Sequence, residues 1–377
     1  MDEREALEAV DATGESLAAL CARARARADR QWGRVLTYSR KVFIPLTTYC
    51  RNDCGYCTFY KRPGEAGARY MTPAHVLEVA RAGERLGCKE ALFSLGEKPE
   101  LRYAEARDAL AALGYDSTIS YVRDMCALVM RETSLVPHVN AGTLTAAELH
   151  ALKPVAGSMG MMLETVSKRL QGAGAAHHAC PDKAPALRLR TLEAAGQAGV
   201  PFTTGILIGI GETWAERVAS LQAIESSHRR HGHIQEVIVQ NFRAKPGTPM
   251  ADHPEPTAVD MARTLAVARL LLSPEISLQA PPNLEEDFAA YVHSGINDWG
   301  GISPVTLDHI NPERAWPAVA ELARRTQATG YDLRERLTVY PRYLEREHHA
   351  RFLDPQLVPV LATLAGQGGL ARHQVLT

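Results

Sequence analysis

The sequence predicts an α/β protein, a full or partial (β/α) barrel of the TIM type with helical extensions at both ends. Short apolar runs alternate with helical segments from residue 42 to about residue 302, and seven or eight such units can be counted. Runs of this length are typical of buried parallel strands, which right-handed crossovers close into a barrel. No long linker interrupts the alternation. We therefore expect one barrel domain, residues 36–310, between an N-terminal helical extension (1–35) and a C-terminal one (311–377).

The composition predicts a cytoplasmic protein without a nucleic acid or membrane partner. Lys and Arg number 42 and Asp and Glu 43 among the 377 residues, so no excess of basic charge is available for nucleic acid or anionic lipid. No run approaches eighteen apolar residues, and the polar, acidic segment 1–5 does not resemble a signal peptide. Seven cysteines, three of them in one loop, indicate a metal site in a reducing compartment.

The elements can be placed in order along the chain. Residues 2–29, rich in Ala, Glu and Arg, predict one or two helices. Thr72-Pro73 predicts an N-cap followed by a first helical residue, whereas capping boxes at Thr145 and Thr213 open later helices. The predicted strands are 41–48 (with Pro45 near its middle), 90–95, 135–140, 158–163, 201–208, 234–239 and 275–278. Further helices are predicted at 103–112, 117–133, 184–198, 257–272 and 284–294.

Three cysteines follow the first predicted strand. Cys50, Cys54 and Cys57 have the spacing C-x3-C-x2-C, and the carboxyl end of a strand is where (β/α) barrels place their chemistry. Four thiolates would close a structural zinc site or fill every iron of a four-iron cluster, whereas three leave one metal corner open. A zinc knuckle with a remote fourth ligand and a chance cluster remain alternatives.

The C-x3-C-x2-C motif after an apolar strand resembles the signature of radical S-adenosylmethionine (SAM) enzymes. The resemblance implies a [4Fe-4S] cluster on Cys50, Cys54 and Cys57, with SAM chelating the fourth iron. It also implies electron transfer that cleaves SAM to a 5′-deoxyadenosyl radical.

The same resemblance implies contacts to SAM at successive strand ends. Tyr56 would pack on adenine, Gly96-Glu97 partly matches a Gly-Gly-Glu motif for the SAM ammonium, and Glu164 would bind the ribose diol. Arg188 would grip the SAM carboxylate, and Ile208-Gly209 would approach the adenine as part of a glycine-rich fifth-strand motif. Alternatives are loop packing for Tyr56, a helix N-terminal charge for Glu164, a surface position for Arg188 and a phosphate-binding turn at Gly209.

Longer motifs resemble one family, the CofG-type subunit of deazaflavin (FO) synthase. They cover residues 43–59, 96–100, 114–118, 158–165, 205–213, 240–248 and 295–306. The resemblance implies that a radical SAM reaction cyclises the tyrosine–ribitylaminouracil adduct, 5-amino-5-(4-hydroxybenzyl)-6-(D-ribitylimino)-5,6-dihydrouracil. Ammonia is released, and FO forms as the precursor of coenzyme F420. It implies that a separate CofH-type partner enzyme makes the adduct, because the chain holds one such cysteine motif, and that an external donor supplies electrons.

The resemblance does not assign the substrate contacts. We expect them among polar residues at strand ends that face the barrel mouth. Amides suit the donors and acceptors of a uracil ring, and Asp298, next to Asn297, is the best candidate for proton transfer; a loop-capping Asn-Asp pair is the alternative. The candidate substrate-binding residues are His138, Asn140, Gln240, Asn241 and Asn283.

Other radical SAM substrates, as in the tyrosine-coupling partner or a menaquinone-pathway relative, remain alternatives, as does a non-enzymatic zinc module. Two places depart from the family pattern. Ala141 stands where proline is usual, and the loop 171–180, with His177, His178 and Cys180, is local to this chain and leaves a second metal site as an alternative.

Overall fold

A closed barrel of eight parallel strands forms the centre of the molecule. The computed structural model describes residues 1–284, 288–309 and 311–372. The strands are β1 (Val35–Pro45), β2 (Glu90–Ser94), β3 (Val136–Asn140), β4 (Ser158–Gly160), β5 (Phe202–Ile208), β6 (Ile234–Asn241), β7 (Ser277–Gln279), β8 (Asp298–Ile302) and β9 (Asp332–Glu335). Strands β1–β8 follow one another around the ring, and β1 pairs with both β2 and β8 to close it. The predicted barrel is therefore confirmed.

Helices surround this ring. Two precede it, most of the others connect its strands, and four follow it. They are α1 (Glu3–Glu8), α2 (Gly14–Trp32), α3 (Pro73–Arg85), α4 (Ala104–Leu113), α5 (Thr118–Glu132), α6 (Ala146–Leu152), α7 (Pro185–Ala198), α8 (Trp214–His231), α9 (Ala258–Leu271), α10 (Phe288–His293), α11 (Val319–Ala328), α12 (Pro341–Leu344), α13 (Arg346–Phe352) and α14 (Val358–Leu364). None of these described helices is long and apolar enough to cross a membrane.

Local sequence signals place several of these helices correctly. Thr72 accepts a hydrogen bond from the His75 backbone N–H, and Pro73 is the first residue of α3, as predicted. The capping boxes at Thr145 and Thr213 are both present. Such caps satisfy backbone N–H groups that have no partner within the helix, so their effect is local.

Strand β1 is longer than expected and holds three neighbours. Residues 41–45 pair with β2, residues 37–40 pair with β8, and residues 35–38 pair with β9. Pro45 is the last residue of β1, so the prediction that it lies near the middle is wrong. Because proline has no N–H group, its place at the end of the strand leaves the hydrogen bonds within the ladder intact.

The segment after β9 closes the amino end of the barrel. The Ser158 hydroxyl lies 2.6 Å from the Thr338 hydroxyl, and Gln235 donates to the Thr338 carbonyl at 3.0 Å. Val339 packs in a cluster of buried apolar side chains that includes Val136 at the start of β3. The C-terminal segment, expected to be helical, thus also supplies a strand and a floor for the barrel.

Strand β4 ends earlier than predicted, at Gly160. The chain then bends, and Glu164 has a left-handed backbone with φ of 63° while its backbone bridges to Ile206 of β5. Left-handed conformations cost free energy for residues other than glycine, so surrounding contacts must hold Glu164 there. Its side-chain contacts are part of the site described below.

We predict that His233, at the amino end of β6, contributes to acid denaturation. The side chain is completely buried, and burial, together with His228 and His231, lowers the pKa of His233 to about 3. Below the unfolded-state pKa of about 6.5, the unfolded chain therefore binds a proton that the folded chain does not. The free energy of unfolding should fall with decreasing pH by about 1.4 kcal/mol per pH unit from this group.

Urea unfolding of the wild type and of His233→Leu between pH 7 and pH 4 tests this. The variant should lose that part of the slope below about pH 6. Equal slopes for the two proteins would contradict the assignment.

Candidate active site

The cysteine loop opens at the carboxyl end of β1 into a cavity of about 230 Å³, here called the upper cavity. Cys50, Cys54 and Cys57 line it together with residues at the carboxyl ends of strands β2 to β6. All three are free thiols; Cys54 is buried and the other two are half-buried. The motif therefore lies at the barrel mouth, as expected.

The loop is fastened to the residues that follow β2. The Arg51 backbone N–H donates to the Glu97 carbonyl at 2.9 Å, and the Glu97 N–H donates to the Cys50 sulfur at 3.2 Å. The Gly96 N–H donates to the Thr47 carbonyl at 3.0 Å. The Gly96-Glu97 segment thus fixes both ends of the first cysteine's turn.

The three thiols do not converge on one point, as a single zinc ion would require. One tetrahedral zinc would bring its sulfur ligands to about 3.8 Å from each other, given Zn–S bonds of about 2.3 Å. Among the described residues, the three sulfurs do not form a group whose members all lie within 4.8 Å. Burial, with Cys54 nearby, raises the pKa of Cys50 to about 12, so its thiolate requires a bound cation.

The Glu97 carboxylate is fully occupied by the protein. One oxygen accepts from the Thr143 backbone N–H at 2.5 Å and hydroxyl at 2.6 Å, and the other accepts from Asn52 at 3.1 Å and Arg188 at 3.3 Å. A carboxylate has about four acceptor positions, so none is left over. This carboxylate joins the cysteine loop to α7, and the predicted contact with an ammonium would require one of these bonds to open.

Arg188 is buried in the wall of the upper cavity, so the surface alternative is wrong. Its guanidinium also donates to the carbonyls of Asp182 and Met162. Carboxylate pairing outweighs burial and raises the pKa of Arg188, which therefore stays charged. A fixed, buried cation suits a carboxylate ligand, as predicted for this residue.

Glu164 is the centre of a second buried network. Its carboxylate accepts from the Tyr56 hydroxyl at 2.5 Å, lies 2.9 Å from the His177 ring and forms an ion pair with Lys183. Burial alone would raise the pKa of Glu164, but the neighbouring cations, above all Lys183, hold it well below its usual range. Glu164 therefore remains an acceptor facing the cavity.

The loop 171–180 belongs to this same site. The Cys180 thiol lies 3.6 Å from the Cys54 sulfur, and the Tyr56 hydroxyl lies 3.1 Å from His177. Among residues 1–284, 288–309 and 311–372, no three-ligand metal group includes His177, His178 or Cys180. Cys180 and His177 of this loop thus contact the cysteine loop, through Cys54 and Tyr56.

Comparison with known proteins places this geometry in a family. A family model described as the radical SAM superfamily matches residues 44–224. The 7,8-didemethyl-8-hydroxy-5-deazariboflavin synthase of Methanopyrus kandleri is 48% identical over 340 residues, covering 90% of this chain and 100% of that protein. The chain belongs to the FO synthase family of radical SAM proteins. The predicted family is thereby confirmed.

Other members of the FO synthase family are longer. The FO synthases of Mycobacterium tuberculosis (strain H37Rv) and Streptomyces coelicolor are 50% and 49% identical over 386 and 388 residues. The alignments cover 98% and 100% of this chain but 45% and 44% of those proteins. The chain thus spans about half the length of these curated relatives.

Two solved structures share the fold. Methylornithine synthase (PylB) superposes with a TM-score of 0.69 at 19% identity, covering 88% of this chain and 94% of that one. The hydrogenase maturase HydG from Carboxydothermus hydrogenoformans gives 0.73 at 19% identity, covering 97% and 86%. At these identities the similarity shows the fold alone.

The two residues of β5 and its following turn that were predicted to approach SAM, Ile208 and Gly209, do not line the upper cavity. Leu207 lines the cavity, whereas Ile208 is completely buried and Gly209 belongs to a turn with φ of 88°. Side chains alternate along a strand, so the neighbour of an inward residue points outward. Glu212 accepts from the Gly209 and Ile210 N–H groups at 2.9 Å each, which also occupies the donors that a phosphate would need.

The predicted substrate residues divide between two places. Asn140 and Gln240 line the upper cavity and also a second cavity beneath it, and Asn241 lines the upper one. His138 lies in the second cavity, 2.7 Å from Ser158, and burial lowers the pKa of His138 to about 3, which keeps the ring neutral. Asn283 instead donates to Asp308 at 2.9 Å and borders neither cavity.

The expectation that Asn297 and Asp298 face the barrel mouth is wrong. They precede or begin β8, so they lie at its amino end, whereas the cysteines lie at the carboxyl end. Asn297 accepts from Arg269 at 2.6 Å, and Asp298 is bound by Arg336 at 2.7 Å. Neither borders the cavities, and both hold the barrel together instead.

Sequence reasoning missed the charged residues of the second cavity, here called the lower chamber. It holds about 160 Å³ and is bordered by Lys41, Glu90, Glu236 and Arg336. Lys41 lies in β1, Glu90 begins β2 and Glu236 lies in β6, and a charge in a buried strand was the available signal.

We predict that Gly96→Ala prevents cluster loading. A Cβ at Gly96 would lie 1.7 Å from the Tyr49 backbone oxygen, so the cysteine loop would have to move. Iron bound per chain after anaerobic reconstitution should fall by about tenfold or more, as for other supports of metal ligands.

Gly55→Ala is the matched control, although Gly55 lies inside the cysteine motif. Its added Cβ would lie 3.3 Å from the flexible Met250 side chain and at an ordinary van der Waals distance, 3.5 Å, from the Ala176 carbonyl oxygen. This variant should bind iron like the wild type. If Gly96→Ala bound as much iron as the wild type, with an unchanged melting temperature, this prediction would be contradicted.

Proposed function

We propose that the chain catalyses the ring closure that forms FO, with release of ammonia from the tyrosine–ribitylaminouracil adduct. The observation that carries this is that two cavities adjoin in the same barrel: one is lined by three cysteine thiols, and the other is a polar chamber. Asn140, Met162, Gln240 and Asn311 line both. The name of the Methanopyrus kandleri relative, 7,8-didemethyl-8-hydroxy-5-deazariboflavin synthase, supports the same reaction.

The upper cavity is the proposed seat of the cofactors. Cys50, Cys54 and Cys57 would hold a [4Fe-4S] cluster, which together with SAM supplies a 5′-deoxyadenosyl radical. Arg188 offers its charge to a carboxylate, and Glu164 offers an acceptor to hydroxyls. Tyr56 lines the same cavity and is held in place by its bond to Glu164.

The protein itself binds, orients and excludes water. Buried cations neutralise the carboxylates around the upper cavity, so Lys183 and Arg188 keep Glu164 and Glu97 in fixed positions. The amides of Asn140 and Gln240 lie where the two cavities meet. An amide offers both a donor and an acceptor, which suits a uracil ring held at this junction.

The proposed function requires a partner enzyme and an electron donor. A CofH-type enzyme would supply the adduct, and an external donor would reduce the cluster. Cytoplasmic action is supported by the seven cysteines, which are all free thiols.

Replacing Cys50, Cys54 or Cys57 singly with Ala should abolish FO formation. Each change removes one ligand of the proposed cluster, so the brown colour and the absorbance at about 400 nm should also be lost. The assay incubates the reconstituted protein anaerobically with SAM, a reductant and the adduct, and follows FO fluorescence and 5′-deoxyadenosine.

Cys88→Ala is the control for this series. Cys88 is equally a buried thiol but borders neither cavity. It should keep both the absorbance and the activity. A wild-type protein that binds one zinc ion and stays colourless would refute the proposal, and 5′-deoxyadenosine without FO would indicate a different radical SAM substrate.

A further inference from the structure

The lower chamber is unusual because the interior of a (β/α) barrel is normally packed with branched apolar side chains. Here every strand from β1 to β8 sends at least one residue to its wall. Charged side chains occupy several of these positions, although Lys41, Glu90, Glu236 and Arg336 are each at most 9% exposed.

These charges form pairs around the chamber. Lys41 lies 2.7 Å from Glu90, and Arg336 lies 3.1 Å from Glu236. Burying paired charges brings little net stability compared with apolar packing of the same volume. The barrel therefore maintains a polar cavity at a cost, which favours a role in binding.

Amides continue this polar wall upward. Asn140, Gln240 and Gln279 line the chamber, and their side chains make no hydrogen bond to the described part of the chain. These amides face the chamber and have room there for hydrogen-bond partners. A polar ligand in the chamber would supply them.

The direction of the substrate follows from the position of the cysteines. On the proposed function, the reacting part of the adduct must lie next to the upper cavity. A part that does not react then extends toward the amino end of the barrel. Phe43 and Trp316, stacked with ring centroids 5.4 Å apart, also border the chamber. They offer a flat apolar face for a ring above the charged floor, since Phe43 lies nearer the barrel mouth than Lys41.

We propose that the lower chamber binds the ribityl chain of the substrate, a linear polyol, between the Lys41–Glu90 and Arg336–Glu236 pairs. Each hydroxyl both donates and accepts. Carboxylates accept from such a group, and the ammonium and guanidinium donate to it, so a polyol satisfies both charges of each pair at once. An aromatic ring in the same place would desolvate the charges without replacing their hydrogen bonds.

This inference rests on the proposed function, and its test uses binding of the product instead of turnover. FO is compared with the same tricyclic ring carrying a methyl group in place of the ribityl chain. Binding to the reconstituted protein is measured by quenching of their fluorescence. The wild type should bind FO at least about tenfold more tightly, which corresponds to about 1.4 kcal/mol.

The test variant is the double substitution Lys41→Met with Glu90→Gln. Both charges are removed together, so no unpaired charge is left buried. FO affinity should fall by about tenfold while the affinity for the methyl analogue stays the same. Gln279→Leu, which removes one amide from the wall, should act in the same direction and serves if the double variant fails to fold.

The matched control is Lys89→Met with Glu335→Gln. In this neighbouring pair Lys89 is buried and Glu335 is half-buried; they lie 2.8 Å apart and border neither cavity. It should leave both affinities unchanged. Equal losses for FO and the analogue in the test variants, or no loss, would overturn the ribityl assignment. Absence of FO formation by the wild type would instead refute the proposed function, whatever the binding results.

Discussion

The contact between the cysteine loop and the turn after β2 governs the geometry of the candidate site. The Gly96 backbone approaches Tyr49 so closely that no Cβ fits between them. The next residue, Glu97, accepts four hydrogen bonds that join the cysteine loop, the turn after β3 and α7 through Arg188. A carboxylate with all acceptor positions filled is rigid, and rigid support is what metal ligands require.

Buried charge is the second constraint on the fold. The Arg336 guanidinium lies within hydrogen-bond distance of both Asp298 and Glu236 inside the barrel. Removing one partner of such a pair costs about 3–5 kcal/mol, because the other charge is left desolvated. Arg336 comes from the segment after β9, so the C-terminal part of the chain completes the barrel interior as well as covering it.

Local signals explain where prediction from the sequence succeeded. Thr145 and Thr213 cap helices through residues three positions away, and the cysteine spacing needs one turn of one loop. Prediction failed where the path of the chain mattered. Asn297 and Asp298 were expected at a strand end that faces the barrel mouth, but they precede or begin β8 and so lie at the opposite end of the barrel. Similarly, Ile208 and Leu207 differ by one residue and face opposite sides of β5.

The sequence alone determined the alternation of strands and helices through most of the barrel, the open-cornered cysteine motif and the family, because each rests on neighbouring residues. Only the tertiary structure decided which distant groups meet: Cys180 with Cys54, His177 with Tyr56, and Arg336 with Glu236. Apolar periodicity places a residue inside or outside a barrel, but it does not specify its partner. Those partners lie about 100 residues or more apart in the chain, and closure of the barrel brings them together.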